Sequence, residues 1–497
     1  MNIIQQPLYK MVATDEEIIF AVQDLAIAAT KVRVKYIAEV YVTSGASPFG
    51  QTALKIATLK VIPNDSGTGI FDFSRVLEAY VSPDYLGGET IVAGGVAYYS
   101  KANEITHRVL PHSIHQIDTH SLNRNACKIF GIKFYLEYAD AIGEPLQNTS
   151  NSPLLSETFY IHNAVRQEDD LLGYETQRDW FGYNYDWNYY VLNDTDGKFL
   201  TNAPTTQYIG EADYCTIGYF NQSGEGLGQG SLLGKKIGST STSSSLVKFI
   251  RITFYNVDDA DIGSTLNYYN TVQNGSLTWE TPVPRAAIQY TGVGTANIVG
   301  AGGSLPAAWH YYTVQAFDDT LSNAISKPYY FYKQEVCKGF EKFRLTWLNR
   351  LGVWDYFNFT KKNVRKVNSK RSTYQQIKGS WNEDKYIKHG YKGGKKVFST
   401  NSKEVVTLQT DFITEEAAEW LEELFTSPEV FVLQERTPDV AQSTAQPSST
   451  VYNVSNKYVQ PCIITTSSYT RKTTANDKLK QYTVEIEMSH NKRIQKA

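Results

Sequence analysis

The chain has 497 residues, a formal net charge of −3 and a charged fraction of 20%. This length predicts roughly two to four domains, and the small net charge excludes a global electrostatic attraction to nucleic acid or to an anionic membrane. The sequence holds 35 tyrosines and only 3 methionines, a composition typical of β-rich proteins. Because it has neither a signal-peptide pattern nor an apolar run of about 18 residues, we expect no membrane insertion.

Two clearly alternating segments dominate residues 1–155. Apolar side chains occupy every second position in residues 32–42 and again in residues 130–138, with charged residues between them. This period of two is typical of an antiparallel sheet that is covered on one side. We therefore predict a β-sandwich domain over residues 1–155, with one short helix that begins at Ser74.

A polar stretch at residues 143–157 marks the boundary to a second predicted domain, residues 156–335, because it buries little apolar surface. We expect an irregular β-rich domain there, with flexible Gly-rich and Ser-rich loops. It contains an aromatic cluster that has two interpretations: packing against a domain or subunit, and stacking on sugars. The candidate contact residues of this cluster are Trp180, Tyr183, Tyr185 and Trp187.

Residues 336–497 form the third predicted domain, which we expect to be α+β. Residues 343–359 alternate on both sides of a break at 349–352 and predict a β-hairpin. An amphipathic helix is predicted over residues 414–427, where Thr414 is suited to cap the N-terminus and Pro428 ends the helix. The candidate assembly core of this domain consists of three tryptophans, Trp347, Trp354 and Trp420.

The strongest local charge lies in residues 361–396, which contain twelve lysines and arginines and two acidic residues, a net charge of +10. Aromatic residues are interleaved with these cations. Such a mixture suits a nucleic-acid backbone, whereas a solvated loop or contact with an acidic partner subunit is the alternative interpretation. The candidate interface or DNA-facing residues are Lys361, Lys362, Arg365, Lys366, Lys370 and Arg371.

No segment matches a known motif for catalysis or cofactor binding. Histidines 107, 112, 115 and 120 match neither zinc-finger nor HExxH spacing, and the four cysteines form no CxxC pair. The glycine run 224–230 fails both phosphate-binding templates, and residues 192–197 read as a turn rather than a calcium loop. We therefore expect no catalytic residue, no metal and no cofactor.

Five segments carry a family resemblance: residues 33–42 (RVKYIAEVYV), 59–81, 345–359 (LTWLNRLGVWDYFNF), 410–433 and 463–489. They resemble virion structural proteins of tailed bacteriophages, in particular those of crAss-like and related phages. The resemblance implies a structural role in the tail or neck region of a virion, and it supplies no catalytic residues.

The resemblance and the β-rich composition lead to one main hypothesis. The chain is expected to be a non-enzymatic structural component of a tailed-phage virion, in the tail, tail hub or neck, assembled in the host cytoplasm. We expect a symmetric homo-oligomer, in the form of a ring, that contacts other tail or neck proteins and, through the basic segment, DNA in the virion channel. Two alternatives stand beside it: a host-surface or glycan recognition module, such as a receptor-binding or fibre-like protein, and a depolymerising enzyme with carboxylate chemistry.

Overall fold

The computed structural model describes residues 1–7, 10–43, 47–51, 53–86, 91–93, 96–98, 112–117, 120–123, 125–166, 187–190, 192, 195–220, 247, 249–269, 288–317, 323–334, 340–380, 385–433, 459–466 and 480–490. These residues fall into two compact units. The first contains the described residues of Met1–Gln334 and Leu348–Asp355, and the second those of Glu335–Trp347, Tyr356–Glu435 and Asn453–Ala497. The chain is mainly β with several antiparallel sheets and few helices, which confirms the predicted fold class.

The first unit begins with strands β1 (Asn2–Gln5), β2 (Met11–Ala13), β3 (Ile19–Gln23), β4 (Val32–Thr43), β5 (Leu54–Val61) and β6 (Thr68–Asp72), and with helices α1 (Leu25–Thr30) and α2 (Ser74–Glu78). It continues with β7 (Ile91–Ala93), β8 (Val96–Tyr98), a 3-10 turn (Ser113–Gln116), β9 (His120–Asn123), β10 (Cys127–Ala139), β11 (Gln147–Asn148), β12 (Leu154–Leu155) and β13 (Phe159–His162). Among the described residues of the chain, no helix has the length and apolar character needed to cross a membrane.

Strands β1–β6 and β10–β13 build a β-sandwich. One sheet has the order β1-β3-β6, and the other has the order β2-β13-β10-β4-β5 with β11 and β12 paired to β10. The long strands β4 and β10 face the first sheet, and the rings of Phe20, Phe71 and Phe134 meet between the two sheets at 5.7–5.9 Å. The predicted domain boundary after residue 155 falls inside this sandwich, because β13 pairs with both β10 and β2 and therefore carries the sheet to His162.

The rest of the first unit contains a second group of strands. A 3-10 turn (Trp187–Tyr190) comes first, followed by β14 (Thr206–Ile209), β15 (Thr216–Phe220), β16 (Phe249–Tyr255), β17 (Asp261–Tyr269), β18 (Ile288–Gly292), helix α3 (Thr295–Gly300), β19 (Tyr311–Phe317) and β20 (Tyr329–Lys333). They form a five-stranded sheet, β14-β20-β19-β16-β17, and a three-stranded sheet, β15-β18-β9. Because β9 comes from the first predicted domain, strand pairing links the first two predicted domains directly.

The second unit contains β21 (Phe343–Leu348), β22 (Trp354–Phe359), β23 (Val364–Gln376), β24 (Gly379–Ser380), β25 (Ile387–Lys388), β26 (Gly394–Gln409), helix α4 (Glu415–Thr426), β27 (Val430–Leu433), β28 (Val459–Ile464) and β29 (Thr483–Met488); the ends of β21 and β22 at Leu348 and Trp354–Asp355 belong to the first unit. Its sheet has the order β22-β21-β27-β28-β29-β26-β23. The predicted hairpin and helix are confirmed: Thr414 Oγ1 accepts a hydrogen bond from Ala417 N at 3.3 Å. Trp420 of α4 packs on Trp347 of the sheet at 5.2 Å, which docks the helix.

Candidate interaction surface: the basic β-ribbon

The first part of the basic segment is a strand and not a loop: residues 364–376 form β23, which pairs with β26 along its whole length. β23 and β26 pair from Val364↔Thr407 to Gln376↔Gly394, whereas the next strand of the sheet, β29, pairs only with residues 405–409 of β26. Residues 367–376 and 394–404 therefore extend beyond the sheet as a two-stranded ribbon about 30 Å long, at about 3.3 Å per residue. We call residues 364–380 and 385–404, which include these two segments, the basic ribbon.

Both faces of β23 are open to solvent, whereas Ser402 and Glu404 on the paired strand β26 are buried. All residues of β23 from Val364 to Gln375 are exposed, although side chains alternate between opposite faces of a strand. Several of the exposed side chains in and beside the ribbon are large and apolar: Val364, Val367, Tyr374, Ile377, Tyr386, Ile387, Tyr391, Val397 and Phe398. Exposed apolar surface gathered in one segment is typical of a contact region.

Charges at the base of the basic ribbon are paired. Arg365 binds both Glu341 and Glu404, Lys361 lies 2.8 Å from Asp411, and Lys403 lies 2.5 Å from Glu487. The Glu341 contact is the main reason why the pKa of Arg365 is raised. Two of the predicted interface residues, Lys361 and Arg365, thus have partners within the chain.

The other cations of the segment form no ion pair with a residue that the structure describes. Within the described ranges, no ion pair involves Lys362, Lys366, Lys370, Arg371, Lys378, Lys385, Lys388, Lys392, Lys395 or Lys396. Strand register places Lys366, Lys370 and Tyr374 on one face, together with Lys396 opposite Tyr374, and it places Arg371 on the other face. The ribbon therefore presents uncompensated positive charge on both faces.

The three tryptophans of the candidate assembly core lie in two places. Trp347 and Trp420 are buried together in the second unit. Trp354 is buried in the first unit, where its indole Nε1 donates to the backbone oxygen of Asp84 at 2.8 Å and its ring lies 5.2 Å from that of His115. All three side chains are thus occupied by contacts within the chain.

The aromatic cluster is described only in part. Trp187 is fully buried, with its ring 5.3 Å from that of His162 and with the Arg166 guanidinium at 5.3 Å. A side chain in this position has no face left for a sugar. The other three candidate residues, Trp180, Tyr183 and Tyr185, lie outside the described residues.

The tip of the β21–β22 hairpin, residues 348–355, is embedded in the first unit. Asn349 Oδ1 accepts from the backbone of Leu351 and Val353, and His162 Nε2 hydrogen-bonds to the Leu351 oxygen at 2.7 Å. Gly352 has φ of +82°, and an added Cβ would meet the Asn163 oxygen at 2.0 Å. The left-handed turn and the close approach of the two backbones both require glycine.

Beside this tip lies a buried carboxyl group that sequence patterns do not mark. Asp84 is fully buried, and its oxygens accept from Asn125 N at 3.0 Å and from Tyr290 Oη at 3.2 Å. Burial raises the pKa of this carboxyl to about 7. Burial also lowers the pKa of His120 and of His162 to about 4, so both imidazoles are neutral at pH 7.

The described histidines of the group 107, 112, 115 and 120, which match no metal-binding spacing in the sequence, do not converge on one point. His112 and His115 stack at 6.1 Å, whereas His120 lies in the three-stranded sheet, 2.8 Å from Thr291 Oγ1; residue 107 is outside the described ranges. Across the described part of the chain, no three His, Cys, Asp or Glu side chains are placed to hold a metal ion. The described cysteines, Cys127, Cys215 and Cys462, are buried.

Comparison with known proteins gives no further assignment. A scan against protein-family models returns no match, and a search of the curated proteins finds no similar sequence. The basic ribbon is therefore the feature of the described structure with the clearest functional geometry, since it combines exposure, apolar side chains and unpaired charge.

Proposed function

We propose that this chain is a non-enzymatic structural protein that assembles with copies of itself, and that the basic ribbon is the arm with which each copy holds its neighbour. The observation that carries the proposal is the two-stranded projection whose cations have no ion-pair partner among the described residues. Exposed apolar side chains on the same element support a protein partner, because a purely solvated arm would gain nothing from them.

The charge distribution supports a second copy as that partner. The whole chain carries a net charge of −3 and residues 361–396 carry +10, so the remainder carries −13. One copy therefore offers both a basic arm and an acidic body. Because the arm and the body are different surfaces, the contact between copies is heterologous, and repetition of such a contact closes into a ring when the rotation permits it.

We expect the contact between arm and body to consist of many interactions that are individually weak. An exposed ion pair contributes about 0–1 kcal/mol, and salt screens it over a distance of about 10 Å at 0.1 M ionic strength. Apolar side chains add about 25 cal/mol per Å² of surface removed from water. We therefore expect the assembly to weaken as salt concentration rises.

The resemblance to virion structural proteins supports a location for this assembly. We propose the tail, tail hub or neck region of a tailed-phage virion, with other tail or neck proteins as additional partners. Mass spectrometry of gradient-purified virions tests this location. Recovery of the chain in stoichiometric amounts is the expected result, and its absence from intact particles would contradict the location but not the assembly.

Shortening the arm tests the proposed function. We would replace residues 368–403 by Asn-Gly, so that the paired residues Val367 and Glu404 flank a two-residue hairpin turn. Light scattering after nuclease treatment should give an oligomer for the full chain and a monomer for the shortened chain. If the full chain and the shortened chain contain the same number of subunits, the proposal is overturned. If the full chain loses its oligomeric state on nuclease treatment alone, the partner of the ribbon is nucleic acid.

A further inference from the structure

A row of four tyrosines crosses the outer face of the five-stranded sheet. Tyr208, Tyr332, Tyr311 and Tyr255 are register partners on neighbouring strands. Their ring centroids follow one another at 6.2, 4.8 and 4.9 Å. We call these residues the tyrosine row. Tyr311 in the middle of the row is only 7% exposed and its hydroxyl hydrogen-bonds to Asp259, so the accessible surface comes from the half-buried Tyr255 and Tyr332 and from Tyr208, which is 62% exposed.

Negative charge lies at the other end of the tyrosine row. Tyr255 pairs with Asp261, and the turn between them also contains Asp258 and Asp259, so three aspartates stand exposed together. Asn256 fixes this turn, since its Oδ1 accepts from the backbone of residues 258 and 260 at 2.9 Å. Burial and the nearby Asp259 carboxylate raise the pKa of Tyr311 to about 12.

These aspartates differ from many other acidic residues of the chain. Glu39, Glu137 and Asp140, for example, each have a lysine partner. No ion pair within the described residues involves any of the three aspartates of the turn. Like the basic ribbon, the aspartate turn therefore carries exposed charges that form no ion pair with a described residue, but the charge of the turn is negative.

We infer that the tyrosine row and its aspartate turn form the surface on which the basic ribbon of a neighbouring copy docks. This inference rests on the proposed function, which says that copies associate through the ribbon but not where the ribbon binds. Carboxylates of the turn would accept ion pairs from the ribbon, tyrosine hydroxyls would accept hydrogen bonds from lysines, and Tyr208 would offer an open ring face to a cation.

The dimensions of the two surfaces agree. Lys366 and Lys370 are four residues apart on one face, or about 13 Å at about 3.3 Å per residue. The four tyrosines span three gaps between strands, or about 14 Å at about 4.8 Å per gap. A ribbon that crosses the strands along the tyrosine row therefore places one lysine near the aspartate turn and the other near Tyr208.

Charge-swap variants of the full chain test the inference. The ribbon variant carries Lys366→Glu and Lys370→Glu, and the face variant carries Tyr208→Lys and Asp258→Lys. Matched controls change the charge by the same amount elsewhere: Arg33→Glu with Lys35→Glu for the ribbon variant, and Ile142→Lys with Asp65→Lys for the face variant. Sedimentation velocity at low salt, after nuclease treatment, gives the mass of each protein alone and of mixtures.

We expect each swapped variant alone to associate at least about ten-fold more weakly than the wild-type chain, because like charges then face each other. The controls should associate as the wild type does. An equimolar mixture of the ribbon and face variants should regain association, since the two reversed charges of the ribbon variant then meet the introduced lysines of the face variant.

Two failures are distinguishable. A wild-type chain that is monomeric throughout contradicts the proposed function and with it this inference. A wild-type oligomer that the ribbon variant loses but the face variant retains contradicts only the inference, because the ribbon then binds another surface of the neighbouring copy.

Discussion

Two hairpins of one sheet, adjacent in the chain, end in opposite environments. The tip of β21–β22 is buried, and its hydrogen bonds reach Asp84, His162 and Leu200. The basic ribbon, β23–β26, has exposed side chains on both faces and unpaired cations within the described ranges. The contrast teaches that a hairpin tip contributes to stability where its own chain supplies the partners, whereas an exposed hairpin such as the basic ribbon can serve the contact between copies that we propose.

Removal of the Trp354 side chain is expected to have the largest effect. Trp354 is 2% exposed and its indole is hydrogen-bonded, so Trp354→Ala should lower the free energy of unfolding by about 3–5 kcal/mol. Tyr391→Ala on the basic ribbon, where the side chain is 72% exposed, should change it by less than about 0.5 kcal/mol. Urea unfolding measures the free energy of unfolding of both variants. Equal losses of stability would contradict the view that the Trp354 hairpin tip supports the fold and the ribbon does not.

Glycine-to-alanine substitutions compare the backbones of the two hairpins. Gly352→Ala forces a side chain into a left-handed conformation and against the Asn163 oxygen, which should cost about 1–3 kcal/mol or more. Gly390→Ala is the matched control, because an added Cβ at Gly390 meets nothing within 4 Å. Thermal unfolding of the two variants should separate them clearly; a tolerated Gly352→Ala would mean that the tip is not held as tightly as its contacts imply.

The buried polar groups around the tip predict how stability depends on pH. The pKa of Asp84 is raised from 3.8 to about 7 in the folded protein, so its contribution is present at low pH and is lost as pH rises through 7. From pH 6.5 to 8 this loss amounts to about 1 kcal/mol, at about 1.4 kcal/mol per pKa unit. The Asp84→Asn variant should show no such decline, and a decline of equal size in that variant would assign it to another group.

At acidic pH, protonation of the buried histidines should lower the free energy of unfolding. Because His120 and His162 have pKa values of about 4 in the folded protein, against a usual value of 6.5, their contribution is present above pH 6.5 and is lost as pH falls through 4. The unfolding free energy should therefore have a maximum near neutral pH. A steady rise of stability down to pH 4 would contradict the buried, neutral state of these imidazoles.

Charge reversal on the ribbon should have the smallest effect on folding. The Lys366→Glu, Lys370→Glu variant removes no described ion pair, so its free energy of unfolding at a protein concentration too low for association should stay within about 0.5 kcal/mol of the wild-type value. Its self-association should nevertheless be at least about ten-fold weaker than that of the wild-type chain. A large loss of stability in the monomer would show that the ribbon contributes to folding and not only to assembly.

Local periodicity was sufficient to predict the two long sandwich strands β4 and β10, the Trp hairpin and helix α4, because each has an apolar face that must be buried. The ribbon could be recognised only as a charged segment. Its strands carry lysines, asparagines and serines on both faces, so the sequence shows no apolar side, and the pairing follows from register with β26. Asp84 could not be predicted at all, since its partners Asn125 and Tyr290 lie far along the chain.

Sedimentation velocity of the wild-type chain across a range of salt concentrations tests the central claim most directly. If the basic ribbon holds neighbouring copies together, the nuclease-treated protein should sediment as an oligomer at low salt and dissociate progressively as salt screens the contact between arm and body. A monomer at low salt and high protein concentration would contradict this account.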